Sequence, residues 1–413
     1  MALTGPRDGP GLGPPAPLVD RLDAVAAAVE SRSRQLGRAV SVDPLVLLTE
    51  RAAITGARRQ GQVSCGGATR LLDAADGWLA VTLARSDDVD LVPAWLGLPG
   101  PPADTWESVA SAAASRPAAD LVRAGAELGL PVAALGEAEP PHGATHPRPE
   151  PLFRNWTRRR CTELPGELPV GAVQLDDAPA VGTLDGVVVV ELASLWAGPL
   201  CGSLLADAGA TVVKVESTAR PDGARRGSAE FFDLLNAGKR SVALDLAGDE
   251  GRRTLAALVA RADVLIEGSR PRALAQLGID AESLVCDGGP RVWVSITGHG
   301  RGRGDRVGFG DDAAVAGGLV AWDGHAPCFC ADAVADPTSG LVAAAAVLEA
   351  LAAGGRWLLD VALAGVAAHL AGPTLPVASG VEAAPPARRP PRGRAADLGE
   401  HTAEVLDELR VEP

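Results

Sequence analysis

The sequence has few aromatic, lysine and sulfur-containing residues, and it has no tyrosine. Its 413 residues include five Phe, eight Trp, one Met, six Cys and two Lys. Ala, Arg, Gly and Pro are abundant, as is typical of GC-rich genomes, so composition says little about function. Charge is more informative, because 38 Lys and Arg against 52 Asp and Glu give a net charge of −14. Without a basic face, we expect no binding to nucleic acid or to an anionic membrane surface.

Several other features are missing. The six cysteines are too scattered to form a disulfide framework, which predicts a reduced, cytoplasmic protein. The first residues lack the apolar core of a signal peptide. The most apolar helix-like run, residues 341–351, is shorter than the roughly 20 residues that span a bilayer. The motif His325-x-x-Cys328-x-Cys330 lacks a second pair of ligands, so we expect no metal site.

Composition and periodicity divide the chain into a smaller N-terminal unit and a larger C-terminal unit. The start is dominated by Gly and Pro, which predicts disorder. Short strands and helices follow, as in a small α+β domain, and segments rich in Pro and Arg predict linkers. The predicted parts are a disordered start (1–17), a small domain (18–135), a linker (136–182), a large domain (183–372), a Pro/Arg-rich linker (373–396) and a closing helix (397–413).

From Leu184 onward, apolar strands alternate with helices. The run GVVVVELA (186–193) is continuously apolar, which is typical of a strand buried on both faces. The alternation predicts an α/β fold with a doubly wound, parallel, Rossmann-like sheet. A long helix is predicted over 338–353, and the stretch 357–372 continues as a strand or a helix. Further strands are predicted at 211–216, 241–246, 263–268 and 291–298.

The first strand–helix–strand unit of this region does not carry a dinucleotide motif. Its turn, from Trp196 to Gly202, lacks the G-x-G-x-x-G pattern that forms the tight turn and admits a pyrophosphate. We therefore expect no NAD or FAD. The start of the helix near Gly198 still offers free N–H groups to an anion.

Several blocks resemble, in order, the class III CoA-transferases. This family includes formyl-CoA transferase and L-carnitine CoA-transferase, and α-methylacyl-CoA racemase is a relative. The blocks are LDGVVVVELASLWAGPLCGSLLADAGATVVKVES, FFDLLNAGKRSVALDL, ADVLIEGSRPRALAQLGID, RVWVSITGHGRGRG, ADPTSGLVAAAAVLEAL and LGEHTAEVL. ATRLLDAADGWLAVTLA and a later N-terminal stretch resemble the family's small domain. The resemblance therefore implies a permuted order, with the small domain first.

The resemblance implies an acyl-CoA:carboxylate CoA-transferase whose nucleophile is Asp336, in the block Asp336-Pro-Thr-Ser-Gly340. A carboxylate can attack a thioester carbonyl to form a mixed anhydride, which CoA thiolate converts into an aspartyl-CoA thioester. Coenzyme A as substrate and product thioester, an acyl-CoA donor, a carboxylic acid acceptor and a homodimer are implied with it. From the residues alone, Asp336 can instead cap the helix that follows it, and Asp332 is a rival nucleophile.

The resemblance also assigns CoA contacts to four turns of the large domain. These residues are Leu195, Trp196 and Ala197 after the first strand, Asn236 and Lys239 before the third, Ser269 and Arg270 after the fourth, and Thr297, Gly298 and His299 after the fifth. Arg and Lys suit phosphate groups by charge and geometry. The alternative for Lys239 and Arg270 is a surface ion pair.

Differences from the family pattern keep two alternative functions open. Positions expected to contact CoA hold Ser217, Gly268, Ser269 and Gln276. A non-catalytic CoA-binding chain, or a partner subunit of a related transferase, tolerates such differences. Racemisation needs a His in the block that reads Gly308-Phe309-Gly310-Asp311, where Phe309 stands instead. An acyl-CoA racemase is therefore the weaker alternative. Cys65-Gly66-Gly67 is a candidate for the family's Gly-rich loop over the nucleophile.

Overall fold

The computed structural model of the chain describes residues 2–141, 164, 167–269, 271–376 and 383–411. Its helices are α1 (Leu18–Gln35), α2 (Pro44–Leu47), α3 (Glu50–Thr55), α4 (Ser86–Leu96), α5 (Thr105–Ser115), α6 (Ala118–Leu128), α7 (Ala197–Asp207), α8 (Ala229–Asn236), α9 (Asp249–Arg261), α10 (Pro271–Gln276), α11 (Ala281–Cys286), α12 (Gly310–Ala316), α13 (Ala335–Ala353), α14 (Leu363–Leu370) and α15 (Thr402–Glu408). Its strands are β1 (Thr69–Ala74), β2 (Gly77–Thr82), β3 (Val132–Ala134), β4 (Gly171–Asp176), β5 (Val188–Leu192), β6 (Thr211–Ser217), β7 (Arg240–Leu244), β8 (Val264–Glu267), β9 (Val292–Thr297), β10 (Val320–Asp323), β11 (Ala326–Phe329) and β12 (Arg356–Ala362).

The largest sheet has seven strands in the order β4-β12-β9-β8-β5-β6-β7. Neighbouring strands are parallel except for β4, which pairs antiparallel with β12 at one edge. From β5 the chain builds outward through β6 and β7, and it then returns beside β5 to build outward through β8, β9 and β12. The direction of winding therefore reverses between β5 and β8. In doubly wound sheets, ligands bind at the carboxyl edge of such a reversal.

Helices cover both faces of this sheet, because successive residues of a strand point to opposite faces. Val189 packs on one face with α1, α7 and α13, and Val190 packs on the other with α9, α11 and α15. Burial on both faces explains the continuous apolar run of β5. The prediction of an α/β fold with a doubly wound sheet is confirmed.

Helix α13 lies between α1 and α7. By length and composition it is the one helix of the described residues that could cross a membrane, but most of its surface is buried inside the fold. Small residues allow close packing, and a Cβ atom on Gly340 would lie 2.6 Å from the carbonyl oxygen of Ala197 in α7. The first turns of α13 are therefore held beside the turn that follows β5.

A three-stranded antiparallel sheet, in the order β1-β2-β3, precedes the large sheet in the chain. Helices α4, α5 and α6 cover one face of it, where Leu79 and Trp95 are buried. Leu71 and Ala80 lie on the other face and pack against Val315 of α12. This smaller α+β unit therefore rests on the helix that follows β9.

The start of the chain is ordered, although disorder was predicted for residues 1–17. Leu3 and Thr4 are buried, and Thr4 Oγ1 accepts a hydrogen bond from the backbone N–H of Ala331 at 3.1 Å. The Arg59 side chain donates to three backbone carbonyl oxygens of this segment. The prediction was wrong because distant side chains supply hydrogen bonds that the local Gly/Pro-rich composition does not reveal.

Other boundaries also differ from the predicted ones. Helix α1 was placed in the small domain, yet its Leu22 and Val29 are buried in the core of the large sheet. Strand β4 lies inside the predicted linker 136–182 and extends the large sheet, while residues 142–163 of that linker lie outside the described residues. The stretch 357–372 contains both a strand and a helix, β12 and α14. Periodicity predicts local elements, but it does not reveal which core they join.

The C-terminal segment, residues 383–411, packs on the large unit instead of forming a free linker. Arg389 donates to the buried carboxylate of Glu50 at 2.8 and 3.0 Å. Further along, His401 Nδ1 accepts a hydrogen bond from the backbone N–H of Ser241 in β7 at 3.2 Å. The segment thereby covers the edge strand of the sheet, whose backbone groups would otherwise be exposed. Residues 377–382 lie outside the described part.

Candidate active site

The carboxyl ends of β5 and β8 lie side by side in the sheet, and glycines allow close contacts in the turns that follow them. A Cβ atom on Gly198, at the start of α7, would lie 2.1 Å from the Cβ of Ala193. A Cβ atom on Gly268, just after β8, would lie 3.6 Å from the same Ala193 Cβ. The turns after these two strands, which the sequence predicted to contact CoA, therefore lie side by side at the point where the winding reverses.

The turn after β5 has an unusual backbone. Leu195 has a φ of +69°, in the left-handed region that non-glycine residues rarely occupy, at a typical cost of about 1–3 kcal/mol. Its N–H donates to Oδ1 of Asp222 at 3.0 Å, which holds this conformation. The Leu195 side chain remains 44% exposed, whereas Trp196 and Ala197 are buried. The exposed leucine offers an apolar surface to a ligand at the carboxyl edge.

Asp336 lies in the first turn of α13, close to this edge. The helix begins at Ala335 and its N-cap residue is Val334, which makes no side-chain capping bond. The alternative that Asp336 caps the helix is therefore wrong, because Asp336 is already the second residue of the helix. Asp336 is partly buried and accepts a hydrogen bond from the backbone N–H of Gly310.

Two further aspartates and an arginine surround Asp336. Asp311, at the start of α12, accepts a hydrogen bond from the backbone N–H of Ala333 at 3.1 Å. Asp332 is buried, and Arg51 of α3 donates to both of its oxygens, with Nε at 2.8 Å from Oδ2. The same guanidinium lies 4.8 Å from the centre of the Trp196 ring. We refer to Arg51, Asp311, Asp332 and Asp336 as the carboxylate cluster.

Burial and mutual repulsion raise the pKa values of two of these carboxyls. The pKa of Asp336 rises from 3.8 to about 7, because burial and the charges of Asp311 and Asp332 outweigh the opposing charge of Arg51. The pKa of Asp311 rises to about 6 through burial and the charge of Asp332. These carboxyls therefore titrate near neutral pH, where proton exchange and nucleophilic attack are both accessible. Asp332, the rival nucleophile, has both oxygens engaged by Arg51.

The N-terminal half supplies residues to this cluster that the sequence did not identify as functional. Arg51 is far from Asp332 in the chain, and no local pattern distinguished it from the other arginines. The candidate loop Cys65-Gly66-Gly67 does lie here, since Cys65 Sγ is 3.3 Å from the carbonyl oxygen of Ala331. Strand β1 contributes as well, because Thr69 Oγ1 donates to Oδ2 of Asp311 at 3.4 Å.

The site combines the carboxyl edge of a doubly wound sheet with a carboxylate in a partly buried cluster. Comparison with known proteins shows to which family such a chain belongs. The model of the family described as CoA-transferase family III matches residues 184–398. The chain belongs to CoA-transferase family III. Asp336 and the turns after β5, β8 and β9 lie within the matched residues, whereas Arg51 lies before them.

Relatives with known activities include several CoA-transferases of family III type. The chain is 36% identical to the succinate–glutarate CoA-transferase of Agrobacterium fabrum over 187 residues, which cover 41% of this chain and 46% of that enzyme. It is 34% identical to the cinnamoyl-CoA:phenyllactate CoA-transferase of Clostridium sporogenes over 182 residues, covering 40% and 44%. The chain thus spans less than half the length of these relatives.

A racemase and a solved structure are also similar. The α-methylacyl-CoA racemase of Mus musculus is 42% identical over 118 residues, which cover 29% of each chain. A crystal structure of a CAIB/BAIF family protein from Brucella suis is 34% identical, covers 47% of this chain and 55% of that chain, and has a TM-score of 0.41.

Two of the residues that the family resemblance assigned to CoA point into the protein instead. Lys239 is buried, and its Nζ donates to Glu191 at 2.8 Å, to the Pro199 carbonyl at 2.8 Å and to Asn236 Oδ1 at 3.1 Å. An ammonium group has three N–H donors, so none remains for a phosphate. Asn236 is buried too and donates to the carbonyl of Phe232. Both side chains are therefore engaged within the protein, and their contact with CoA stays a prediction of the sequence.

Lys239 instead belongs to a buried ion network behind the turn after β5. Glu191 bridges both lysines of the chain, because Lys214 Nζ lies 3.1 Å from its Oε1. Lys214 also pairs with Asp222 at 2.9 Å, and Asp222 holds the Leu195 N–H. Burial lowers the pKa of Lys239 to about 8, even though Glu191 opposes this shift. The two lysines of this family III chain thus stabilise the turn after β5 from the protein interior, through Asp222 and the Pro199 carbonyl.

The remaining predicted contacts lie at the carboxyl edge or outside the described residues. Ser269 is partly exposed after β8, and Arg270 lies outside the described residues. Thr297 Oγ1 accepts a hydrogen bond from the N–H of Gly300 at 2.9 Å, which shapes the turn containing Gly298 and His299.

Several buried polar atoms near this edge have no hydrogen-bond partner among the described residues, and two of them belong to turns that the sequence assigned to CoA. These two are Nε1 of Trp196 and Nε2 of His299. Burial lowers the pKa of His299 to about 3, so its ring is neutral at physiological pH. Buried polar atoms are nearly always satisfied in folded proteins, so a polar ligand at this edge fits both of them.

Proposed function

We propose that this chain transfers CoA from an acyl-CoA donor to a carboxylic acid acceptor, with Asp336 as the nucleophile. Family III membership supports the reaction class, and the named relatives suggest small carboxylic acids as substrates. The observation that carries the proposal is the position of Asp336 beside the reversal point of the sheet. Gly340, one helical turn later, packs directly on Ala197 of the turn after β5.

The first half of the reaction moves CoA onto the protein. An Asp336 carboxylate oxygen attacks the thioester carbonyl, the C–S bond breaks, and CoA leaves as a thiolate, which gives a mixed anhydride. The thiolate then attacks the aspartyl carbonyl of that anhydride. The C–O bond breaks, the donor leaves as a free carboxylate, and Asp336 becomes an aspartyl-CoA thioester.

The second half returns CoA to a new acid. The acceptor carboxylate attacks the aspartyl thioester carbonyl, and CoA thiolate leaves again. The thiolate then attacks the acceptor carbonyl of the new anhydride, which releases the acceptor acyl-CoA and regenerates the Asp336 carboxylate. Every step exchanges one acyl bond for another, so the thioester energy is conserved only if water is kept out. The partial burial of Asp336 in the carboxylate cluster serves this exclusion.

Mass spectrometry with peptide mapping tests the assignment. The purified chain is mixed with succinyl-CoA or cinnamoyl-CoA and with a panel of small acids, and the intact mass is followed over time. We expect a covalent CoA or acyl adduct on the peptide containing Asp336, together with new acyl-CoA in solution. Asp336→Asn should abolish both, and Asp176→Asn, an exposed aspartate at the end of β4, should change neither. An adduct on Asp332 would move the nucleophile there.

The second candidate is a non-catalytic CoA-binding chain or partner subunit. It is favoured by the burial of Lys239 and Asn236, whose side chains are engaged within the protein. Titration calorimetry that shows saturable CoA binding, with no adduct and no turnover over the acid panel, would select it. Wash-out of an α-deuterium from a labelled 2-methylacyl-CoA, without transfer to an acid, would select a racemase instead. A homodimer, a permuted domain order and a cytoplasmic location stay predictions of the sequence.

A further inference from the structure

The carboxylate cluster carries three aspartates that would repel one another if all were ionised. Like charges at such a site disfavour ionisation, while a nucleophilic carboxylate must be ionised to attack. The groups that face Asp336 come from three directions: Asp311 from α12, Asp332 from the preceding loop and Arg51 from α3. Arg51 is the cation that opposes the two neighbouring charges.

Arg51 is fixed in place from two sides. Its Nε and a terminal nitrogen donate hydrogen bonds to the two oxygens of Asp332, and its guanidinium stacks over Trp196. Such a paired grip on a carboxylate gives a defined orientation as well as a charge, which a lysine cannot reproduce. Arg51 therefore contacts both the loop that leads into Asp336 and the turn after β5.

The helix that carries Arg51 is itself held by the far end of the chain. The neighbouring residue, Glu50, is fully buried and accepts two hydrogen bonds from Arg389 of the C-terminal segment. Thr49 Oγ1 exchanges hydrogen bonds with the backbone of Ala387 as well. The placement of α3 is therefore specified by contacts that lie away from the cluster.

We propose that Arg51, which lies outside the family-matched residues, is a positioning residue of the Asp336 site: it orients Asp332 and offsets the negative charge of the cluster, so that Asp336 is presented as an ionised nucleophile. The proposal rests on the proposed function for its catalytic meaning. The effect of Arg51 on the ionisation of Asp336 does not depend on which reaction the chain catalyses.

The experiment compares Arg51→Gln and Arg51→Lys with Arg32→Gln. Arg32 is a matched control, because it forms a two-pronged pair with Glu349 near the C-terminal end of α13, as Arg51 does with Asp332 in the loop before that helix. The pH profile of kcat/KM is measured for each variant. We expect the acid limb of Arg51→Gln to move to higher pH, with a loss of roughly tenfold or more at pH 6, since a shift of one pKa unit is a tenfold change in ionisation. Arg51→Lys should recover part of this loss, and Arg32→Gln should keep the wild-type profile.

A second measurement reads the same effect without activity. The infrared band of the protonated Asp336 carboxyl is identified as the band that Asp336→Asn removes, and it is titrated in each protein. In Arg51→Gln the band should persist to higher pH than in the wild type. A folded Arg51→Gln with an unchanged infrared titration and an unchanged acid limb would overturn the proposal. If the wild type transfers no CoA, the proposed function fails, while the infrared titration still decides the role of Arg51.

Discussion

Gly310 and Asp336 are so close that a side chain cannot stand between them. A Cβ atom on Gly310 would lie 2.4 Å from Oδ2 of Asp336 and 2.5 Å from the carbonyl oxygen of Ala333. Because Gly310 also donates its N–H to this carboxylate, the start of α12 fixes the position of the proposed nucleophile. Glycine is required here by this close approach.

Gly310→Ala should therefore damage the site more than the fold. The methyl group has to displace the Asp336 carboxylate or the loop at Ala333, and a displacement of about 1 Å at a reacting group can cost on the order of 100-fold in rate. Adduct formation on Asp336 and kcat/KM measure the effect, and circular dichroism reports whether the fold persists. Gly182→Ala is the control, since nothing lies within 4 Å of its Cβ position. Equal activity of the two variants would show that CoA transfer does not depend on this position of the Asp336 carboxylate.

The rate of CoA transfer should rise with pH up to about neutral. Burial together with Asp311 and Asp332 places the pKa of Asp336 at about 7, so the fraction of ionised nucleophile falls about tenfold for each pH unit below that value. The carboxyls of the cluster titrate together, so the pH at which the rate rises reflects the whole carboxylate cluster and not Asp336 alone. Initial rates between pH 5 and 9 with a saturating donor measure the limb. A rate that is flat from pH 5 upward would contradict the raised pKa.

Stability should show the opposite trend over the same range. A carboxyl whose folded pKa is raised from 3.8 to about 7 binds more protons in the folded state than in the unfolded state, so its contribution is complete below pH 3.8 and is lost as the pH rises through 7. Asp336→Asn removes this term, because the amide does not titrate. Thermal unfolding between pH 5 and 8 should therefore show a smaller decrease of Tm in Asp336→Asn than in the wild type. Parallel Tm curves for the two proteins would contradict this assignment.

Lys239→Met should lower the stability rather than selectively weaken CoA binding. The substitution leaves the buried Glu191 carboxylate with Lys214 as its remaining ion-pair partner, and breaking a buried pair in this way typically costs about 3–5 kcal/mol. Arg123→Met is the control, because the exposed Arg123–Asp120 pair is worth at most about 1 kcal/mol. Urea unfolding measures both. A stable Lys239→Met protein with weakened CoA affinity would restore the phosphate contact that the sequence suggested.

The sequence was sufficient for the large sheet, because its strands are encoded locally, while the role of Asp336 stays a prediction that also rests on a local pattern. Each strand of the βαβ region is an apolar run of its own, and Asp336 stands in a contiguous block at the start of a helix. Lys239 shows where this reasoning ends. A lysine next to a strand is usually exposed, and its burial here depends on Glu191, 48 positions earlier in the chain.

Arg51 and the first residues show the same limit. Arg51 acquires its role through a contact with Asp332, 281 positions away. Thr4 is buried against the loop that holds Cys330 and Ala331, 326 and 327 positions away, while Leu3 packs with Ala52 and Cys65. Periodicity and motifs describe neighbours in the chain, so a site assembled from distant segments is only partly visible to them.

The burial of Leu3 and Thr4 beside the loop that leads into Asp336 has a practical consequence for protein engineering. Residues 184–398 have the boundaries of a transferable module, but excising them would remove Arg51, the Cys65 loop and the N-terminal cover together. Chimeras that swap this region into a relative would therefore carry Asp336 without its electrostatic and steric surroundings. Recombination points for this protein belong on surfaces remote from the cluster, and both ends of the chain should travel with the sheet.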